Sequence, residues 1–316
     1  SFMQGLKNIK TLKDFEYHDK VVFLRLDLNV PMEFDMKSSS GQRCKITDET
    51  RIVASLPTIE YLIEKGAKIV MASHLGRPKS AEDKEFSLEP VAQKLSEHLK
   101  AEVILLDELD TDALKHLVKT LRKNQLILLE NVRFLPGETK DSEELAQELA
   151  PLFDIYINDA FGASHRAHAT IHSLPKLMKN RGIGFLIEKE IQFLDQLLDN
   201  PKRPYWAILG GAKVSDKIAV IEKLLDLVDG FVIGGAMAYT FLKAMGHSVG
   251  SSLVENDKLK YAAEMIERVK ARNKSLLLPV DHLIAKSLKD TASLQVAKDA
   301  NIPEGFMGVD IGPKTI

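Results

Sequence analysis

Val21-Val22-Phe23-Leu24-Arg25-Leu26 is a short, apolar, β-branched run, and the stretch from Asp48 through Lys65 repeats Ile52, Leu56, Ile59 and Ile63 at three- or four-residue spacing. The first reads as a strand and the second as a helix. Lys68–Ser73 follows as another strand, which completes a β-α-β unit. Working outward, strands at Val103–Leu106, Gln125–Glu130 and Asp154–Asn158 alternate with helices from about Leu88 to Leu99, Asp110 to Leu121 and Asp141 to Leu152. Strands alternating with helices imply crossover connections and a mainly parallel sheet. These strands are apolar throughout rather than alternating, as expected when helices cover both faces. Thr47 or Asp48 is expected to cap the first helix and Asp141 the last.

The pattern resets after a helical stretch from about Phe185 to Leu198, where Asn200-Pro201-Lys202-Arg203-Pro204 breaks the chain. Tyr205–Leu209, Gly230–Ile233 and Ser275–Leu278 begin a second series, with helices at Val214–Leu227, Ala236–Met245 and Asp257–Ala271. The expected fold is α/β: two doubly wound, Rossmann-like parallel-sheet domains joined by a helix. The boundaries fall at residues 1–180, a connecting helix at 181–200, and 201–316. Met307–Ile311 reads as a strand and Gly312-Pro313 as a turn, so the second domain is expected to be incomplete at its C-terminal end.

A length of 316 residues fits two domains at roughly 150 residues each. Lys plus Arg number 43 against 45 Asp plus Glu, and this balance argues against general binding of nucleic acid. No apolar run approaches the roughly 18 residues that a membrane-spanning helix needs. Ser1-Phe2-Met3-Gln4 lacks the character of a signal peptide, and Ser1-Phe2 reads as a remnant ahead of the initiator. Cys44 is the only cysteine, which excludes an internal disulfide and cysteine zinc clusters and fits a cytoplasmic setting. It lies in a polar loop from Met32 to Ile46 that includes Ser38-Ser39-Ser40-Gly41, with no catalytic partner in view.

Charged groups recur where strands should end. Asp27 and Asn29 follow the first strand in Arg25-Leu26-Asp27-Leu28-Asn29-Val30-Pro31. Ser73-His74-Leu75-Gly76-Arg77-Pro78, Glu130-Asn131-Val132-Arg133-Phe134 and Asn158-Asp159-Ala160-Phe161-Gly162 follow later ones. Carboxyl ends of parallel strands form the ligand crevice of open α/β sheets. One side of the first domain thus gathers His74, Arg77, Arg133 and Arg166 in an otherwise slightly acidic chain. Such a cluster suits a small, multiply negative ligand, since the planar guanidinium holds phosphate or carboxylate through paired hydrogen bonds. Any one of these arginines alone reads more readily as a solvated charge or a structural ion pair. His165, His168 and His172 lack the carboxylate and spacing of a metal triad. A structural role for His172 is the simpler expectation.

The second series carries a different device. The strand Tyr205–Leu209 runs into Gly210-Gly211-Ala212-Lys213-Val214-Ser215-Asp216-Lys217. Paired glycines let a backbone turn approach a ligand, and free amides at the start of the next helix would face an anion. Lys213 and Lys217 would share one face if the helix has already begun. Gly234-Gly235 after Phe231-Val232-Ile233 repeats the arrangement. Neither the GxxxxGK[ST] loop nor the GxGxxG dinucleotide fingerprint is present, which disfavours an NAD-linked oxidoreductase.

Taken in order, these segments resemble the phosphoglycerate kinase family. Arg25–Pro31, Ser73–Pro78, Glu130–Phe134, Asn158–His168 and Leu209–Lys217 all occur in the family's sequence, Phe185-Leu186-Ile187-Glu188-Lys189-Glu190 resembles its interdomain helix, and Gly234–Lys243 resembles its nucleotide-side turn. The resemblance implies transfer of a phosphoryl group between 1,3-bisphosphoglycerate and ADP, giving 3-phosphoglycerate and ATP, in a glycolytic enzyme that closes its two domains over Mg²⁺-bound nucleotide. It implies a phosphoglycerate site of Asp27, Asn29, Arg51, His74, Arg77, Arg133 and Arg166. It also implies a nucleotide site of Gly210, Gly211, Lys213, Lys217, Gly234 and Gly235, with Arg51 and Lys213 as the catalytic pair. A cytoplasmic monomer is implied, with no protein-held metal beyond the Mg²⁺ on the nucleotide phosphates. The family's Trp-Asn-Gly-Pro-type segment and later glycine-rich turn have no counterpart here, so a truncated or incompletely represented form is expected. A non-catalytic anion-binding protein that keeps only the first pocket is the competing expectation.

Overall fold

The computed structural model describes residues 8–34 and 43–316, with the side chains at 34, 43 and 44 excepted. The Cys44 side chain and the serine-rich tract therefore lie outside the described residues. The chain divides into two compact units, Ser1–Asp195 and Gln196–Ile316.

In the first unit the chain runs through β1 (Val21–Arg25), β2 (Met32–Phe34), β3 (Arg43–Ile46), α1 (Thr50–Glu64), β4 (Lys68–Ala72), α2 (Glu89–Leu99) and β5 (Glu102–Leu106). It continues through α3 (Thr111–Thr120), β6 (Gln125–Leu129), α4 (Glu143–Leu149), β7 (Ile155–Asn158), α5 (Leu174–Leu177), β8 (Arg181–Ile183) and α6 (Phe185–Asp199). Six strands form one parallel sheet in the order β5-β6-β4-β1-β7-β8. Successive crossovers place β4, β5 and β6 on one side of β1, and β7 and β8 on the other. The carboxyl end of β1 is thus a topological switch point, where such sheets open a crevice.

Alternation along β1 explains why it is apolar on both faces. Val22 and Leu24 pack with Ile52, Ile59, Ile69 and Val91. Phe23 faces the other way, among Val70, Leu114 and Leu149, with its ring 4.9 Å from Phe153 and 5.7 Å from Tyr156. Arg25 shares Phe23's parity and is fully buried. The connecting helix α6 starts on this unit. Asp159, at the end of β7, accepts from the Leu186 and Ile187 amides at 3.0 and 3.3 Å, and Thr58 Oγ1 accepts from the Phe185 amide at 3.0 Å. Those bonds satisfy amides that a helix start leaves open.

Three local expectations change. The stretch from Met32 to Ile46, expected as a loop, contains the antiparallel pair β2–β3. Asp141 does not cap α4. Ser142 does, accepting from the Leu145 amide at 3.3 Å. Asp141 sits at φ +52° and accepts from the ring of His172 at 2.6 Å and from the Ser173 hydroxyl at 2.7 Å. At the first helix neither Thr47 nor Asp48 is the cap: the N-cap is Glu49, with no capping side-chain bond, while Asp48 accepts from the Thr50 amide at 2.7 Å and Thr47 bonds elsewhere.

The second unit holds β9 (Trp206–Leu209), α7 (Ile218–Leu224), β10 (Gly230–Ile233), α8 (Met237–Ala244), α9 (Leu259–Ala271), β11 (Ser275–Leu277), β12 (His282–Ala285), β13 (Gln295–Ala297) and β14 (Met307–Ile311). A parallel sheet runs β11-β10-β9, with Phe231 and Ile233 packed under Met237, Phe241 and Met265. The Trp206 ring lies directly over Gly230, filling the space a Cβ would need. A separate antiparallel sheet runs β13-β12-β14. Met307–Ile311 therefore does not extend the parallel series; it pairs antiparallel with β12. The short β12 and β13 escape a periodicity reading because three or four residues are too few to separate an alternating pattern from chance.

Candidate functional site

The cationic and polar groups of the first unit are arranged around the loops that leave β1, β4 and β6. Asn131 pins the Ser73–Pro78 turn: its amide donates to Leu75 O at 2.7 Å and Phe86 O at 3.0 Å, and its Oδ1 accepts from Leu75 N at 3.2 Å. Asn29 Oδ1 accepts from Gly76 N at 2.9 Å, and Arg133 Nη1 donates to Gly76 O at 2.6 Å. Both polar groups of the Gly76 peptide are therefore engaged, and the turn that carries His74 and Arg77 is fixed on either side.

Arg77, Arg133, Arg166 and His168 line a cavity of about 460 Å³ together with Lys79 and Lys140. Among the described residues none of the three arginines has a carboxylate partner. Arg133 Nε is buried with no acceptor. Burial, followed by Arg166, Arg25 and Arg77, lowers the pKa of the Arg133 guanidinium. Like charges held this close without counter-ions are unfavourable until an anion joins them. His165, by contrast, is exposed and makes no part of the cavity.

Asp27, Asn29 and Arg51 come together beside this cavity. Arg51 Nη1 donates to Asn29 O at 2.7 Å and lies 3.2 Å from Asp27 Oδ1, which also accepts from the Asn29 amide at 3.1 Å. Asn29, Asp48, Thr50 and Arg51 border a second cavity of about 590 Å³. Asp27 and Asn29 therefore hold Arg51, Asn29 also holds the Gly76 turn, and Asn29 borders the second cavity. His74 is buried, and its pKa falls to about 2 through burial first and then through Arg25, Arg133, Arg166 and Arg51. Burial and the neighbouring cations thus favour the neutral ring.

Three residues that strand-end reasoning passed over complete the site. Arg25, Glu138 and Thr170 are all fully buried. Arg25 Nε donates to Thr170 Oγ1 at 2.9 Å, Nη1 donates to Leu26 O, and Nη2 lies 3.2 Å from His74 Nδ1. Thr170 donates its hydroxyl to Glu138 Oε1 at 2.6 Å and its amide to Oε2 at 3.1 Å. Burial pushes the Glu138 carboxyl up, with Arg25 and Thr170 opposing. Both its oxygens accept hydrogen bonds, the pattern of a carboxylate. An arginine inside an otherwise apolar strand was the available signal.

In the second unit Gly211 adopts φ +121° and Gly235 φ +65°. Met237 N donates to Gly211 O at 2.8 Å and Gly234 N to Leu209 O at 2.9 Å, so the two glycine turns support each other at the ends of β9 and β10. A Cβ at Gly210 or Gly234 would meet nothing within 4 Å, which leaves open space beside both turns. Lys217 extends across Gly211, and Lys213 is exposed. The helix after Lys213 starts later than expected: Ser215–Lys217 is a tight 3-10 turn and α7 begins at Ile218. The i,i+4 argument for Lys213 and Lys217 therefore does not apply. Nor is the turn's first amide free, since Ser215 donates its N–H and hydroxyl to Glu255 at 3.1 and 2.7 Å.

The phosphoglycerate kinase family profile matches residues 12–316. The chain belongs to the phosphoglycerate kinase family. It is 69% identical to the phosphoglycerate kinase of Bdellovibrio bacteriovorus over 312 residues, spanning 99% of this chain and 76% of that protein. An Anaeromyxobacter phosphoglycerate kinase is 50% identical across 98% of this chain and 76% of its own length. Among solved structures, the Coxiella burnetii phosphoglycerate kinase superposes with a TM-score of 0.72 at 40% identity, covering 97% of this chain and 75% of that one. Membership places the chain among the ATP-binding kinases of glycolysis, with the α/β fold of that family. No helix among the described residues is long and apolar enough to cross a membrane, and no cluster of three or more His, Cys, Asp or Glu there could hold a metal ion.

Proposed function

We propose that the first unit binds 3-phosphoglycerate or 1,3-bisphosphoglycerate and the second binds Mg²⁺-bound ADP or ATP, with Arg51 and Lys213 stabilising charge on the phosphoryl group in transfer. The observation that carries this reading is the cavity of Arg77, Arg133 and Arg166, three guanidinium groups without carboxylate partners, one with its Nε buried and unsatisfied. Phosphoryl transfer needs positioning and charge neutralisation more than a covalent nucleophile. The carboxylate of 3-phosphoglycerate is ionised at neutral pH, so the acceptor needs no strong general base, and a neutral His74 suits a binding role.

On the nucleotide side, Gly210, Gly211, Gly234 and Gly235 leave room for close approach, while Lys213 and Lys217 offer ammonium groups to the phosphates. Held on those phosphates, Mg²⁺ would neutralise part of their charge. Calorimetry with 3-phosphoglycerate, and separately with ADP and Mg²⁺, tests the assignment. Heat with the acid should disappear in Arg133→Ala and persist in Lys217→Ala. Heat with the nucleotide should show the opposite dependence. No binding of 3-phosphoglycerate by the unaltered chain would refute the first half, and indifference of nucleotide binding to Lys217 the second.

A further inference from the structure

We infer that Arg25, anchored through Thr170 to Glu138, is a positioning residue that fixes the His74 ring with its proton on Nε2, so that this N–H is the donor His74 offers to an anionic ligand. The inference rests on the phosphoglycerate reading for the identity of that ligand. The state of the ring does not.

The argument is one of donors and acceptors. A guanidinium has donors only, so at 3.2 Å from Arg25 Nη2 the His74 Nδ1 must accept. A neutral imidazole that accepts at Nδ1 carries its hydrogen at Nε2. A second proton on Nδ1 would set two donors against each other, and the surrounding Arg133, Arg166 and Arg51 charges oppose it further. Among the described residues Nε2 has no hydrogen-bond partner, and it is not one of the sealed, unsatisfied atoms. Its N–H is therefore left over for something that is not protein.

Arg25 can impose this only if it cannot turn away. Its Nε is held by Thr170 Oγ1 at 2.9 Å and its Nη1 by the Leu26 carbonyl. Thr170 is held in turn: its hydroxyl and amide both go to Glu138, and its carbonyl accepts from Tyr156 at 2.6 Å. Because Thr170 Oγ1 accepts from Arg25, its one hydrogen must go to Glu138. Every proton in the series from Glu138 to His74 is thereby assigned. Glu138 also brings the negative charge that lets a guanidinium persist in a site with no exposure at all.

The test is long-range ¹H–¹⁵N correlation of the His74 ring at pH 7 in the uniformly ¹⁵N-labelled chain, assigned by the signal missing from His74→Asn. A single proton on Nε2 is expected without ligand, and the Nε2 signal should move on addition of 3-phosphoglycerate. A ring protonated on Nδ1, or on both nitrogens, overturns the inference without any variant being needed. Thr170→Val should mix the ring tautomers and weaken 3-phosphoglycerate about tenfold, a loss that Thr170→Ser should restore. A Val variant with an unaltered ring and unaltered affinity overturns it as well. If the unaltered chain shows the Nε2 proton but binds no 3-phosphoglycerate, the ligand reading falls while Arg25's hold on the ring is upheld.

Discussion

Gly235 presses its backbone against that of Gly211: a Cβ at Gly235 would stand 2.7 Å from Gly211 N and 2.9 Å from its carbonyl oxygen. Gly235 also sits at φ +65°, in the left-handed region that side chains resist. Gly235→Ala should therefore cost about 1–3 kcal/mol in stability and displace the neighbouring turn. Gly210→Ala, with nothing within 4 Å of the new methyl, should leave stability within about 0.5 kcal/mol. If Gly210 lines nucleotide, that variant should nonetheless weaken ADP. Urea melts paired with ADP titrations separate the two effects, and equal destabilisation by both substitutions would contradict this account.

Arg51 is exposed, and its one carboxylate contact, to the part-buried Asp27, is made from a side chain half in solvent. Such pairs contribute about 0–1 kcal/mol. Arg51→Ala should leave the melting curve nearly unchanged while turnover falls by about a hundredfold or more, as expected when a charge aimed at the transition state is removed. Lys213→Ala should behave alike. Steady-state kinetics beside a thermal melt reads both quantities. Near-normal turnover in either variant removes that residue from its assigned role.

His74 links stability to pH. Its folded pKa is depressed, from 6.5 to about 2, so the unfolded chain binds a proton there that the folded chain refuses. Stability from this group is fully present above pH 6.5 and falls as pH drops below it, by up to about 1.4 kcal/mol per pH unit. His168 is shifted the same way, by burial first and then by Arg133, Arg166 and Arg25, and adds to the slope. Unfolding free energies between pH 7 and pH 5 should therefore decline less steeply in His74→Asn. Identical slopes would mean that the ring is not held neutral.

Glu255 satisfies the Ser215 amide and hydroxyl at the turn that follows Lys213. Burial works to raise its carboxyl, but those bonds, with the Lys213 charge, together hold it below the usual range. Glu255→Ala should destabilise the chain by about 1 kcal/mol, as loss of a cap does. It should also weaken ADP binding by freeing the turn that bears Lys213. Glu255→Gln should restore most of the stability, because one amide oxygen can still accept. A melt indistinguishable from the parent in Glu255→Ala would argue that the cap does nothing.

The strands of the first unit were legible because apolar runs of four or five residues ended abruptly in charge, as at Arg25–Asp27 and Leu129–Arg133. The same abruptness marked His74, Arg77 and Arg133, since a parallel strand's carboxyl end is where polar side chains gather. What stayed hidden depended on distance along the chain. Glu138 lies in a polar loop that looks solvent-facing and is fully buried only because Thr170 folds over it. Glu255 caps a turn forty residues earlier. Asp141 looked like a helix cap by its neighbours, but the chain there turns through φ +52° and leaves that task to Ser142. The antiparallel β12–β14 pair is likewise set by contact between segments more than twenty residues apart.

Trp206, the chain's single tryptophan, is laid over Gly230 inside the second unit. Its indole emission is therefore a built-in optical probe of that unit alone. Loss of the β9–β10 contact would lift the half-exposed ring off Gly230, give more of it to water and shift its emission.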